Sequence, residues 1–153
     1  MRIWGAVIAT GAAFFVTLAF GQGPAQSPAP FLRVGSMSQL MIDIIYPTSD
    51  AVFYIGREPP KNDKEWNDFR GQALMLAESA NLLMLEGRAR DQDQWMKDAK
   101  LLADVGAAAF KAAQAKNVDA ILALNDQLYA ACVTCHEQYR PGYGKRKLGP
   151  PPQ

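Results

Sequence analysis

Cys132-Val133-Thr134-Cys135-His136 is the stretch of this 153-residue chain that concentrates reactive side chains. Two thiols three residues apart, with an imidazole beside the second, form the Cys-x-x-Cys-His pattern of covalent haem attachment. On a helix, positions 132, 135 and 136 share one face. Cys132 and Cys135 can then form thioethers with two haem vinyl groups while His136 reaches the iron from one side. His136 is the chain's single histidine, so no other imidazole competes for that role. Other chemistry at this spacing is less well supplied. A zinc tetrahedron would need a second Cys/His cluster, which the sequence lacks. A thioredoxin-like redox pair belongs in a βαβ context, also lacking here. A simple Cys132–Cys135 disulfide gives no reason for the adjacent histidine. The cofactor this stretch predicts is one covalently bound haem c.

The position of the motif constrains the other side of the iron. Only seventeen residues follow His136, and the last methionine, Met96, lies upstream. Any second protein ligand must therefore come from an earlier helix.

Four helices are expected to build the site. The first starts at Ser36, where Ser36-Met37-Ser38-Gln39 matches a capping box. Met37, Leu40, Met41, Ile44, Ile45, Val52 and Ile55 follow at helical spacing, and Gly56 with Pro59-Pro60 stops the run. Pro47 falls inside it and should kink the helix, because it removes a backbone donor and crowds the preceding turn. Asn62-Asp63-Lys64-Glu65 opens the second helix, whose apolar face runs from Trp66 through Phe69, Ala73 and Leu76 to Leu83 and Met84, with Gly87 ending it. Asp91 should cap the third, with Trp95, Ala99, Leu102, Gly106, Ala109 and Ala113 inward. Asn117 should cap the fourth, with Val118, Ile121, Leu122, Leu128, Cys132, Cys135 and Tyr139 inward, and Pro141-Gly142 closing it. No segment alternates as a strand does, and the last three connections are short. The expected fold is therefore all-α, an antiparallel up-down-up-down four-helix bundle.

Composition agrees with one domain carrying one core. Sixteen Lys and Arg against fifteen Asp and Glu give a formal charge of +1, and 49% of residues are hydrophobic. That balance removes the electrostatic case for nucleic-acid binding. Arg2 precedes a nearly uninterrupted apolar run from Ile3 to Phe20, followed by Gly21-Gln22-Gly23-Pro24. A positive start, an apolar middle and small residues at the junction describe a secretory signal over residues 1–21. The expected destination is a periplasm, with no stable membrane insertion after cleavage; an uncleaved anchor is the alternative. Residues 22–34 read as a flexible leader, 35–141 as the bundle and 142–153 as a basic, Pro-rich tail.

A haem motif at the C-terminal end of a four-helix bundle resembles the class II c-type cytochromes, the cytochrome c′ family. The resemblance covers roughly Ser36 to Arg140. It is strongest at Cys132-Val133-Thr134-Cys135-His136 followed by Tyr139-Arg140, similar to the family ending Cys-x-x-Cys-His-x-x-Tyr-Arg/Lys. Gln39-Leu40-Met41 resembles the region that faces the iron's far side, whereas Pro47 departs from the best-known members. The resemblance implies either an open, five-coordinate iron that binds small gases such as nitric oxide, or a low-spin relative in which a first-helix methionine ligates the iron. Met41 aligns best with that position, and Met37 lies one turn earlier on the same face. His136 and Met41 are thus the expected iron ligands, and single-electron transfer between redox partner proteins is the expected function. A homodimer through outer helix faces is compatible with such relatives, although no face here is apolar enough to require one.

The remaining candidates have plainer readings. Met75, Met84 and Met96 read as gap-filling core residues, and Trp66 and Trp95 as packing residues. Arg140, one turn past His136, is placed to pair with a haem propionate or shield the imidazole edge. No hydrolase triad, phosphate loop or paired-carboxylate site is present, and with a single histidine little acid–base chemistry is available at the iron. An enzyme is not expected.

Overall fold

The computed structural model describes residues 31–144, and among them every regular element is helical. The elements are α1 (Met37–Gln39), a π-helical stretch (Leu40–Ile45), α2 (Tyr46–Phe53), α3 (Asp63–Leu83), α4 (Gln94–Gln114), α5 (Val118–Leu122) and α6 (Asn125–Tyr139). All belong to the unit that begins at Arg33; Phe31 and Leu32 fall in another unit and carry no regular structure. The expected signal at 1–21, most of the leader and most of the tail lie outside the described residues. Among the described residues, no helix is long and apolar enough to cross a membrane.

The helix starts follow from local side-chain chemistry. Ser36 caps α1 reciprocally: its hydroxyl accepts from the Gln39 amide at 3.2 Å, and the Ser36 amide donates to Gln39 Oε1 at 3.0 Å. Asn62 caps α3 by accepting from the Glu65 amide at 3.0 Å. At α4 the cap position falls on Asp93, which makes no side-chain cap bond, rather than on the expected Asp91; Asp91 instead holds the first turn from two residues earlier. Its Oδ1 accepts from the amides of Asp93 at 2.9 Å and Trp95 at 3.1 Å.

Two expectations need correction. The first helix is not α-helical throughout. It widens into a π stretch over Leu40–Ile45, with the Tyr46 amide donating to the Met41 carbonyl five residues back. Widening separates the proline ring from the carbonyl it would otherwise strike, and α2 continues to Phe53. Buried Thr48 returns its hydroxyl to the Ile44 carbonyl at 2.6 Å, and Ser49 to the Tyr46 carbonyl at 2.9 Å. The fourth expected helix is two pieces. Asn117 caps only α5, and Ala123-Leu124 form a tight turn in which the Leu124 amide donates to Ile121 at 3.0 Å. Just beyond it, Asn125 reaches from α6 to the Phe53 carbonyl at 3.4 Å. That break leaves Leu122 38% exposed rather than inward.

The core joins all the longer elements. Val52, Leu76, Ala80, Ala109, Ile121 and Leu128 are fully enclosed. Between α3 and α4 the contacts run from Trp95, whose indole N–H donates to the Leu83 carbonyl at 2.7 Å, to Gly106 against Ala77, and then to the Lys116–Asp63 ion pair at 2.6 Å. Gly106 is the closest approach: a Cβ there would lie 2.6 Å from the Ala77 nitrogen and 2.7 Å from its Cα. Backbone cannot swing aside, so Gly106→Ala must push the helices apart. Overpacking strain of about 3 kcal/mol, less about 1 kcal/mol of improved helix propensity, predicts a net loss of roughly 2 kcal/mol. Urea unfolding measures it, and a midpoint equal to that of the unmodified chain would contradict the close approach.

Candidate functional site

The Cys-x-x-Cys-His motif occupies the last turns of α6, and an inner and an outer cleft are lined by its cysteines and histidine. The inner cleft, of about 40 Å³, is bounded by Met41, Asp98, Cys132, Cys135 and His136, with apolar residues such as Leu102 behind them. The outer cleft, of about 300 Å³, is lined by Met37, Met41, Trp95, Cys135, His136 and Arg140. The structure therefore brings Met41, from the π stretch, into both clefts with Cys135 and His136. Met37 reaches only the outer one. Cys132 lines only the inner one. Arg140 stands at the C-terminal cap of α6, exposed at the outer rim.

The donor atoms have suitable protonation. Cys132 and Cys135 are free and half-buried. Burial pushes the Cys132 thiol up; at Cys135 burial, then the Asp98 carboxylate and Cys132, push the thiol up to about 11. Both thus remain thiols at neutral pH. His136 is held below the ordinary imidazole value, first by burial and then by the Arg140 charge. Its ring is neutral at neutral pH, which leaves one nitrogen lone pair available to a metal. Two thiols, a neutral imidazole and a thioether facing common space suit covalent haem with one or two axial ligands.

The elevated Cys135 value has a testable consequence for the haem-free chain. The unfolded thiol ionises near 9.0, while the folded one resists until about 11. Stability from this difference is complete below pH 9 and is lost as pH rises toward 11. The denaturation midpoint should fall across that window, and Cys135→Ser should make the fall shallower, with Cys132 and Tyr139, which are also pushed up, carrying the rest.

Several supporting residues were not legible in the sequence. Thr134, inside the motif, has its hydroxyl 2.9 Å from Asp98 Oδ1 and 2.8 Å from the Ala130 carbonyl. Tyr139 donates to Asp91 Oδ2 and packs edge-on to Trp95 with ring centroids 5.0 Å apart. Burial, then the Asp91 bond, push Tyr139 up to about 12, and that bond holds Asp91 below the usual carboxylate range. The carboxylate that starts α4 therefore also ties down the end of α6. Beyond Pro141-Gly142 the chain turns back, and the Tyr143 ring lies 5.2 Å from the His136 ring and 6.0 Å from the Arg140 guanidinium. Gly142 and Gly144, with φ of 80° and 70°, permit that turn. Arg90 adds a second cation to the outer cleft.

A larger and wider cleft, of about 850 Å³, lies between α2 and the start of α3. It is lined by residues such as Tyr46, Tyr54, Arg57 and Asp68 and holds none of the motif residues. No protein-family model, curated protein or solved structure matches the chain.

Proposed function

We propose that this chain is a monohaem c-type cytochrome that carries single electrons between redox partner proteins in a periplasm, similar to the low-spin, His/Met-ligated class II cytochromes. The observation that carries the reading is the convergence of Met41 with Cys132, Cys135 and His136 on the inner cleft, from two helices far apart in sequence. Cys132 and Cys135 would hold the group covalently, and His136 and Met41 would ligate its iron. When bound, the haem supplies an iron that gains and loses one electron while keeping both ligands.

The protein's part is to hold these atoms still and dry. Leu102, Ile45 and Leu83 line the inner cleft and exclude water. The Tyr139–Asp91 bond fixes the helix end that carries His136, and Tyr143 covers the imidazole. Arg90 and Arg140 offer propionate-pairing cations at the outer rim. The order of the α3–α4 contacts supports opposed directions for those helices, and an up-down-up-down bundle is the arrangement we assign.

The test is an absorption spectrum of the purified full chain, with and without carbon monoxide, after acidified-acetone extraction has shown whether the haem is covalent. Covalent haem with six-coordinate, low-spin bands supports the proposal. A high-spin ferrous form that binds carbon monoxide readily would replace electron transfer with gas binding, and extractable or absent haem would overturn the cytochrome reading.

A further inference from the structure

Asp98 lies on the apolar face of α4, between Trp95, Ala99 and Leu102, with only 4% of its surface exposed. Carboxylates are rarely buried so completely, because the interior penalises the charge unless partners offset it. Here the offset is partial. Oδ1 accepts from Gln94 Nε2 and lies in reach of the Thr134 hydroxyl, each at 2.9 Å. Oδ2 is enclosed and has no hydrogen-bond donor among the described residues. The same carboxylate bounds the inner cleft with Cys132, Cys135 and His136, and it is the only acidic or basic side chain, apart from that histidine, among the described residues that line the cleft.

Holding Thr134 does not require a charge. An asparagine would accept the same bond without the desolvation cost of a carboxylate. The outer cleft, by contrast, carries the cations Arg90 and Arg140. The inner and outer clefts are therefore opposite in sign, with the negative one enclosed.

Resting on the haem reading above, we propose that Asp98 is a positioning and tuning residue for the electron-transfer centre: it anchors the attachment helix through Thr134 and places a buried negative charge beside the two thioether sites, biasing the one-electron couple toward its oxidised form. One electron arrives from a reduced partner protein and leaves to an oxidised one, and no bond is made or broken. With neutral axial ligands, the iron–porphyrin core carries one more positive charge when oxidised. A nearby carboxylate in a poorly screened interior stabilises that form more than the reduced one. Charges at the exposed rim act through water and do so less.

The experiment is a spectroelectrochemical titration of the haem-bearing full chain and of Asp98→Asn and Thr134→Val. Asp98→Asn keeps an acceptor for Thr134 and loses the charge. It should favour reduction by about tenfold, equivalent to about 59 mV upward for one electron. Thr134→Val keeps the charge and loses the anchor, so its shift should be well under half as large. Should Asp98→Asn not yield folded protein, Asp98→Ser is smaller, equally neutral and held to the same criterion. An unmoved or lowered potential in haem-bearing Asp98→Asn overturns this inference alone, as does an equal shift in Thr134→Val. Absence of covalent haem from the unmodified chain overturns the cytochrome reading and takes this inference with it.

Discussion

Changing Cys132 and Cys135 together to serine is expected to leave no covalently held haem. Serine preserves the size and half-buried placement of each side chain but replaces the sulfur that forms the thioether. His136 and Met41 remain, so haem can still be held by coordination in the same clefts. Coordination yields to acid, because a protonated imidazole no longer ligates iron. A denaturing gel stained for haem should therefore be blank for the double variant, and acidified acetone should extract whatever colour that variant carries when folded. Each single variant keeps one thioether site and should still stain. Haem stain that survives in the double variant would place the covalent link elsewhere and remove the basis of the proposed function.

The helix starts and inward faces were largely legible because their causes are local. The Ser36 capping box, the Asn62 cap and the apolar face from Trp66 to Leu83 each involve residues within a few turns of one another, and each is found where its spacing predicts. The motif itself was equally plain. Features set by distant contacts were not. Nothing in Ala120-Ile121-Leu122-Ala123-Leu124 breaks a helix, yet Asn125 just beyond this run binds the Phe53 carbonyl and the chain turns there. Asp98 reads as one more polar residue on α4 until Thr134, thirty-six positions away, is seen beside it. Tyr143 reads as tail until the glycine-permitted turn brings it over His136. Pro47 announced a disturbance but not its form: the turn before it widens, and buried Thr48 and Ser49 place their hydroxyls on backbone carbonyls.

That widened turn decides which methionine borders both clefts. A π stretch distributes more residues around each turn than an α-helix, so it changes the angle at which the positions within it meet the bundle. Met41 lies inside the stretch and Met37 in the short α1 before it. The result is that Met41 borders both clefts with His136, whereas Met37 borders only the outer, more open one. Ile45 and Leu102, which share the inner cleft with Met41, keep water away and favour a neutral thioether over hydroxide as ligand. Met37 also sits in a first turn, where the backbone is held by fewer hydrogen bonds. The expected result is that Met41→Ala abolishes the thioether-to-iron charge-transfer band of the oxidised protein, while Met37→Ala retains it. Met41→Ala should also gain carbon monoxide binding in the reduced state, since it removes the thioether that this reading places on the iron. Loss of the band only in Met37→Ala would move the ligand one turn toward the rim. A band absent from the unmodified protein would mean that Met41 covers the iron without binding it, and the gas-binding alternative would then take precedence over electron transfer.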